Sequence, residues 1–124
     1  EENFTEAEAY YWKKEFPWKL VKKVAKEGYF GAQIPKKYGG LELGATGSCI
    51  VAEQLGRLYS VGHVFVVSML AGLEQVLRFG SEEQKEKWLP KFAKGEELGA
   101  VCITEPFAGS DAAYVMTTAE KDGD

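Results

Sequence analysis

Histidine, cysteine and long apolar runs are the scarce features of this sequence. His63 is the only histidine, and one isolated imidazole reads as a helix-end or partly exposed residue rather than a base or a metal ligand. The two cysteines, Cys49 and Cys102, lie far apart with no C-x-x-C pair and no histidine beside them, a pattern that suggests neither a zinc site nor a disulfide framework. Both read as small buried apolar residues in a reducing compartment, so secretion is not expected. The most apolar stretch, 61–77, contains His63, Ser68, Glu74 and Gln75 and is shorter than the roughly 20 apolar residues of a membrane span. Positive charge is also short, with 15 Lys and Arg against 19 Asp and Glu. The two signs are interspersed without a basic stripe, which argues against DNA or RNA as a partner. No charged-then-apolar leader opens the chain, and its first residue is Glu rather than Met, as expected of a trimmed piece.

What is present is the balance of an ordinary globular protein, 45% hydrophobic and 27% charged over 124 residues, enough for one domain or one domain and the start of another. From Glu2 to Phe16, helix propensity is high, and Phe4, Ala7, Tyr11 and Trp12 fall on one face. Pro17 suits the first turn of a second helix, 18–27, with Leu20, Val21, Val24 and Ala25 on one side. Lys19, Lys22, Lys23 and Lys26 surround that face and read as a solvated surface. Gly28 ends the helix. A long ordered loop, 29–47, follows, punctuated by Pro35, Gly39, Gly40 and Gly44; loops of this length are usually functional. Thr46 or Ser48 can cap a third helix bearing Val51, Leu55 and Leu58.

The next helix, about 62–79, is apolar almost all round and belongs at the centre of a bundle. Gly80 stops it, and Ser81 with Gln84 forms an S-x-x-Q capping box for a helix that buries Trp88, Leu89 and Phe92. Trp12, Trp18 and Trp88 read as core or interdomain packing residues. After Glu97 the pattern changes. Residues 98–104 form a short apolar run rich in strand formers, 114–119 look like a second strand, and Asp122-Gly123 carries a hairpin signal. The expected architecture is therefore mainly α, an up-down helical bundle over 1–97 followed by the first strands of a β-domain over 98–124.

The candidate site lies between the two expected strands. Thr104 places a hydroxyl at a strand end, where it can bond a heteroaromatic ring edge. Glu105-Pro106 forces a turn. Gly109 permits close backbone approach, and the N–H groups of Gly109 and Ser110 can converge on an oxygen anion such as a pyrophosphate. Asp111 can close an Asx turn and act as scaffold. By spacing alone, such a strand and Pro-x-x-Gly-Ser-Asp turn reads most simply as a surface turn.

The whole string carries more than its spacing. Ile103-Thr104-Glu105-Pro106-Phe107-Ala108-Gly109-Ser110-Asp111, followed by Thr117-Thr118-Ala119-Glu120-Lys121-Asp122-Gly123-Asp124, resembles the flavin-loop signature of the acyl-CoA dehydrogenases. Pro35-Lys36-Lys37-Tyr38-Gly39-Gly40 is similar to that family's P-x-x-Y-G-G segment. Gly80 to Lys85 with Trp88-Leu89-Pro90 matches its G-[ST]-x-x-Q-K-x-x-[WY]-L-P segment. The likeness covers nearly the entire chain. Phe107 departs from it, standing where a small residue is usual, and Val101 stands where an aromatic one is common.

The resemblance implies an N-terminal helical domain and the opening of the middle β-domain of an FAD-dependent acyl-CoA dehydrogenase. The reaction implied is α,β-dehydrogenation of an acyl-CoA thioester to a trans-2-enoyl-CoA. It implies FAD contacts from Val101, Cys102, Ile103, Thr104, Gly109 and Ser110, and substrate contacts from Ser110. Val64, Val67 and Ser68 correspond to an acyl-pocket wall, although periodicity alone assigns them to core packing. The implied catalytic base is a Glu of the C-terminal region, outside these residues, so the isolated chain is expected to be inactive. The implied partners are an electron-transfer flavoprotein and further copies in a homotetramer, in a prokaryotic cytoplasm or mitochondrial matrix. An acyl-CoA oxidase of the same fold and a non-catalytic helical interaction module are the alternatives.

Overall fold

Three buried aliphatics on one side of a nine-residue helix, Leu20, Val21 and Val24, set the position of α2 (Trp18–Lys26). Burying each such side chain contributes about 1.5–3 kcal/mol, which outweighs the weak intrinsic preference of so short a helix. The computed structural model describes residues 2–123. Before α2 comes α1 (Glu2–Lys13). It ends at Lys14, whose positive φ of 55° breaks the helix short of the expected Phe16. The lysine face of α2 is more than solvated: Lys19 pairs with Glu6 of α1 at 2.8 Å and Lys23 with the same carboxylate at 3.7 Å. Gly28 then takes a left-handed conformation, φ 76°, directly after α2, as the sequence predicts.

The loop that follows is ordered by two 3₁₀ turns, Tyr29–Gly31 and Lys36–Tyr38, and by backbone bonds from Leu41 to Gly31 and from Leu43 to Ala32, both 2.8 Å. Its Phe30, Ala32, Ile34 and Tyr38 are buried in the core. α3 (Gly44–Gly56) starts earlier than expected, after Leu43, without a side-chain cap. Ser48 is not the cap; its buried hydroxyl donates back to the carbonyl of Gly44 at 2.8 Å, an interior helical bond.

The predicted long apolar helix is present in three pieces: α4 (Tyr59–Ser68), a π-turn (Met69–Leu73) and α5 (Glu74–Phe79). Val61, Phe65, Met69 and Leu73 line its buried side, and Phe30 meets Phe65 with ring centroids 5.9 Å apart. The opposite side is exposed at Val66, Leu70 and Phe79, so this helix flanks the core rather than being enclosed by it. α6 (Glu82–Ala93) carries the expected capping box, with Gln84 N–H donating to Ser81 Oγ at 3.2 Å and Ser81 N–H to Gln84 Oε1 at 2.9 Å. Leu89 and Ala93 close the core from this side.

Four expectations need correction. Among the described residues 98–104 and 114–119 form no strand; they are irregular chain apart from Tyr114, with one antiparallel bridge between Glu105 and Ala108 and a 3₁₀ turn at Ala112–Tyr114. Strand-forming side chains do not make a strand unless another segment supplies the ladder, and no described residue pairs with these. Cys49 and Cys102 are exposed, because one sits on the outer face of α3 beside exposed Ile50 and the other in the uncovered irregular segment. Trp12 and Trp18 are likewise exposed, which excludes core packing of the two roles expected of them, and Trp88 is half-buried, its ring flanked by Lys87 and Lys91. α1 buries Ala7 but leaves Phe4, Tyr11 and Trp12 outside, where Tyr11 meets Tyr59 edge-on at 4.9 Å.

Candidate functional site

Two of the sequence motifs meet in space. Glu82, in the first turn of α6, accepts hydrogen bonds from the Tyr38 hydroxyl at 2.8 Å, from Lys37 Nζ at 3.2 Å and from Lys85 Nζ at 3.1 Å. These donors, the tyrosine hydroxyl first and the two ammonium groups after it, hold the Glu82 carboxyl down to about 2. Gly39 supplies the positive φ of 83° that turns the chain after Tyr38. Gly40 serves packing: a Cβ there would lie 2.0 Å from the Ile34 carbonyl oxygen. The paired glycines and the tyrosine are thus structural, locking the loop onto α6. They touch none of the residues of the 101–110 segment among the contacts described.

The segment expected to carry chemistry is built on its first acidic residue. Glu105 accepts hydrogen bonds from the backbone N–H groups of Met116 at 2.8 Å and Thr117 at 2.9 Å, and from the Thr117 hydroxyl. One carboxylate therefore clasps both arms of the loop. The Thr117 hydroxyl, followed by the backbone donors, pulls the Glu105 carboxyl below the usual carboxylate range. Sequence reasoning credited Glu105 only with the turn and missed the clasp; the signal was an acid with Thr117 twelve residues on.

Pro106 occupies the second position of a β-turn closed by Ala108 N–H to the Glu105 carbonyl at 3.2 Å, with Glu105 N–H returning to the Ala108 carbonyl at 2.9 Å. Ala108 is buried and anchors the turn, while Phe107 points into solvent, 80% exposed. Phe107 is not among the positive-φ residues, so the turn accepts a bulky side chain where a left-handed turn would demand glycine. Asp111 is exposed, and its backbone carbonyl accepts from Tyr114 N–H at 3.1 Å.

Cys102, Ile103, Thr104 and Glu105 line a groove of about 430 Å³ with Val115 and Thr117. Among the described residues, the backbone groups of 101–104 have no backbone partner and the hydroxyls of Thr104 and Ser110 have no hydrogen bond. Gly109 differs from Gly40: its φ is not positive and a Cβ added there would meet nothing within 4 Å. Neither backbone conformation nor packing inside the chain requires this glycine. An arm without backbone partners, a free hydroxyl at its tip and an open glycine suit a flat, hydrogen-bonding ligand approaching the backbone closely.

The acyl-wall candidates share one side of α4 but meet different surroundings. Val64 packs against the core and faces a separate groove with Tyr10, Phe16 and His63. Val67 is half-buried. Ser68 is buried, and its hydroxyl accepts the N–H of Gly99 at 2.8 Å. Of the three, Ser68 alone is tied to the segment that leads into the loop. Among the described residues no group of His, Cys, Asp and Glu could hold a metal ion, and no helix is long and apolar enough to cross a membrane.

Residues 1–96 match the model of the acyl-CoA dehydrogenase N-terminal domain. The chain is 40% identical over 108 residues to an acyl-CoA dehydrogenase of Bacillus subtilis, covering 86% of this chain and 28% of that protein. It is 41% identical over 112 residues to a 3-(aryl)acrylate reductase of Clostridium sporogenes, covering 89% and 29%. Among solved structures, the acyl-CoA dehydrogenase of Bacillus anthracis complexed with FAD superposes with a TM-score of 0.73 at 37% identity, over 78% of this chain and 17% of that one. The chain spans less than a third of the length of each of these relatives. With the family's domain matched over most of its residues, and with the helical fold to go with it, the chain belongs to the acyl-CoA dehydrogenase family.

Proposed function

We propose that this chain is the N-terminal helical domain and flavin-loop entry of an FAD-dependent acyl-CoA dehydrogenase, which oxidises an acyl-CoA thioester to the trans-2-enoyl-CoA. The observation that carries the reading is the clasped loop, with its unpaired arm at 101–104 and a glycine that nothing inside the chain requires. Val101, Cys102, Ile103 and Thr104 would hold the flavin through the extended arm, and Gly109 and Ser110 through the turn. When bound, the flavin supplies the acceptor for the hydride that leaves the β-carbon. Thr104 and Ser110 offer hydroxyls to orient cofactor and thioester, and Val64 and Val67 contribute apolar surface for the acyl chain.

The base that removes the α-proton comes from outside these residues in this reading. Glu105 and Glu82 are both fully engaged as acceptors and held ionised by their donors, which leaves neither aimed at a substrate. The isolated chain is then without turnover, and the complete protein passes electrons to an electron-transfer flavoprotein and assembles as a homotetramer. The relationship to a 3-(aryl)acrylate reductase favours one second reading, the same site run in the direction of C=C saturation.

The test is an anaerobic titration of the full-length protein with acyl-CoAs of increasing length, following the visible flavin absorbance. Bleaching by at least one saturated thioester is the expected result. A flavin that stays oxidised with every thioester, and is instead reoxidised by enoyl compounds after chemical reduction, supports the saturating direction. No response in either direction defeats both.

A further inference from the structure

The arm 98–104 has no ladder partner among the described residues, yet its base is held tightly. Gly99 N–H donates to Ser68 Oγ at 2.8 Å, and Ser68 is only 5% exposed. A Cβ on Gly99 would lie 2.5 Å from the Ser68 carbonyl oxygen and 2.8 Å from the Gly72 nitrogen, and one on Gly72 would lie 2.6 Å from the Gly99 Cα. The backbone of the arm thus lies directly on the backbone of the helix, a contact that only two glycines allow. The helix is wound as a π-turn over Met69–Leu73, the stretch that spans this contact, and such widened turns frequently mark functional places in helices.

We propose that Ser68, with Gly72 and the π-turn, is the positioning device for the flavin arm rather than part of the acyl-chain wall. The inference rests on the reading of 101–104 as a flavin contact. Ser68 acts through Gly99, whose N–H its buried hydroxyl oxygen accepts at 2.8 Å. From Gly99 to Thr104 the chain reaches at most roughly 16 Å. A small change of direction at the base therefore becomes a displacement of ångströms at the Thr104 hydroxyl. Removing the acceptor leaves a half-buried N–H without its partner, which the arm relieves by lifting off the helix.

The test compares wild-type full-length protein with Ser68→Ala and Ser68→Thr by hydrogen exchange of the peptide spanning 98–104, FAD affinity, and preference for acyl length. In Ser68→Ala, exchange at Gly99 rises by about tenfold or more and FAD binds more weakly by a similar factor. Acyl-length preference stays as in wild type, and Ser68→Thr, which keeps the acceptor, restores both other readouts. A folded Ser68→Ala that binds FAD as wild type does overturns the proposal, as does a changed acyl-length preference with Gly99 exchange unaltered. Should Ser68→Ala fail to fold, wild type and Ser68→Thr decide: Gly99 exchanging as slowly as α4 supports the clasp, and exchange as fast as the exposed 115–123 segment overturns it. Wild type that takes up no FAD defeats the flavin reading itself, an outcome distinct from an FAD-binding wild type matched by its alanine variant.

Discussion

A methyl group added at Gly40 would sit 2.0 Å from the Ile34 carbonyl oxygen, whereas one added at Gly109 would meet nothing within 4 Å. The two substitutions should therefore separate folding from function. Gly40→Ala is expected to cost about 1–3 kcal/mol, as overpacking against immobile backbone does, read from the urea midpoint. Gly109→Ala is expected to change stability by no more than about 0.5 kcal/mol while weakening FAD binding in the full-length protein. Equal destabilisation by both would count against a ligand-facing glycine. Sequence reasoning placed both glycines in motifs but could not tell these roles apart, because the difference lies in what stands opposite each Cα.

Glu82 gives a second prediction at the same scale. Its folded pKa, about 2, is below the ordinary 4.5, so its contribution to stability is present above pH 4.5 and is lost as pH falls toward 2. In acid denaturation, Glu82→Gln should flatten the loss of stability across this window relative to wild type. A variant curve that parallels wild type through the window would show that the Tyr38 and lysine donors contribute nothing to folding.

Among elements, the helices were legible and the extended arms were not. Periodicity and end signals located α2, α6 and the apolar stretch that became α4 and α5, because a helix satisfies its own backbone and its apolar face needs only a core. The π-turn left no mark on that pattern; it lies where Gly99 approaches the helix, a contact made across 31 positions of chain from Ser68. The segments 98–104 and 114–119 have strand composition without strand pairing, since hydrogen-bond partners are not encoded in composition. What organises them is the Glu105 carboxylate. Glu105→Ala is expected to speed amide exchange at Met116 and Thr117 by about tenfold or more, leaving α4 and α6 unaffected because the loop lies outside the core. In wild type the same loop should loosen as pH falls through the depressed Glu105 pKa, a loss seen only below the usual carboxylate range. Unchanged exchange at both amides would remove the clasp from the account.

At the scale of the whole molecule, a helical domain closed by Phe65, Leu20, Ile34, Leu73 and Leu89 carries a loop that projects from it. The resemblance of the motifs named the family correctly, and the fold joins two of them: Tyr38 and Glu82 tie the 29–43 loop to α6, while Ser68 ties α4 to the arm. The FAD assignment to the loop is the central claim. Its most direct test is the hydrogen-exchange footprint of the full-length apoprotein with and without FAD. The account predicts slower exchange on FAD addition at 101–104 and at Gly109 and Ser110, with the Tyr38–Glu82 region unchanged. Bound FAD that leaves 101–110 exchanging as in the apoprotein would contradict it.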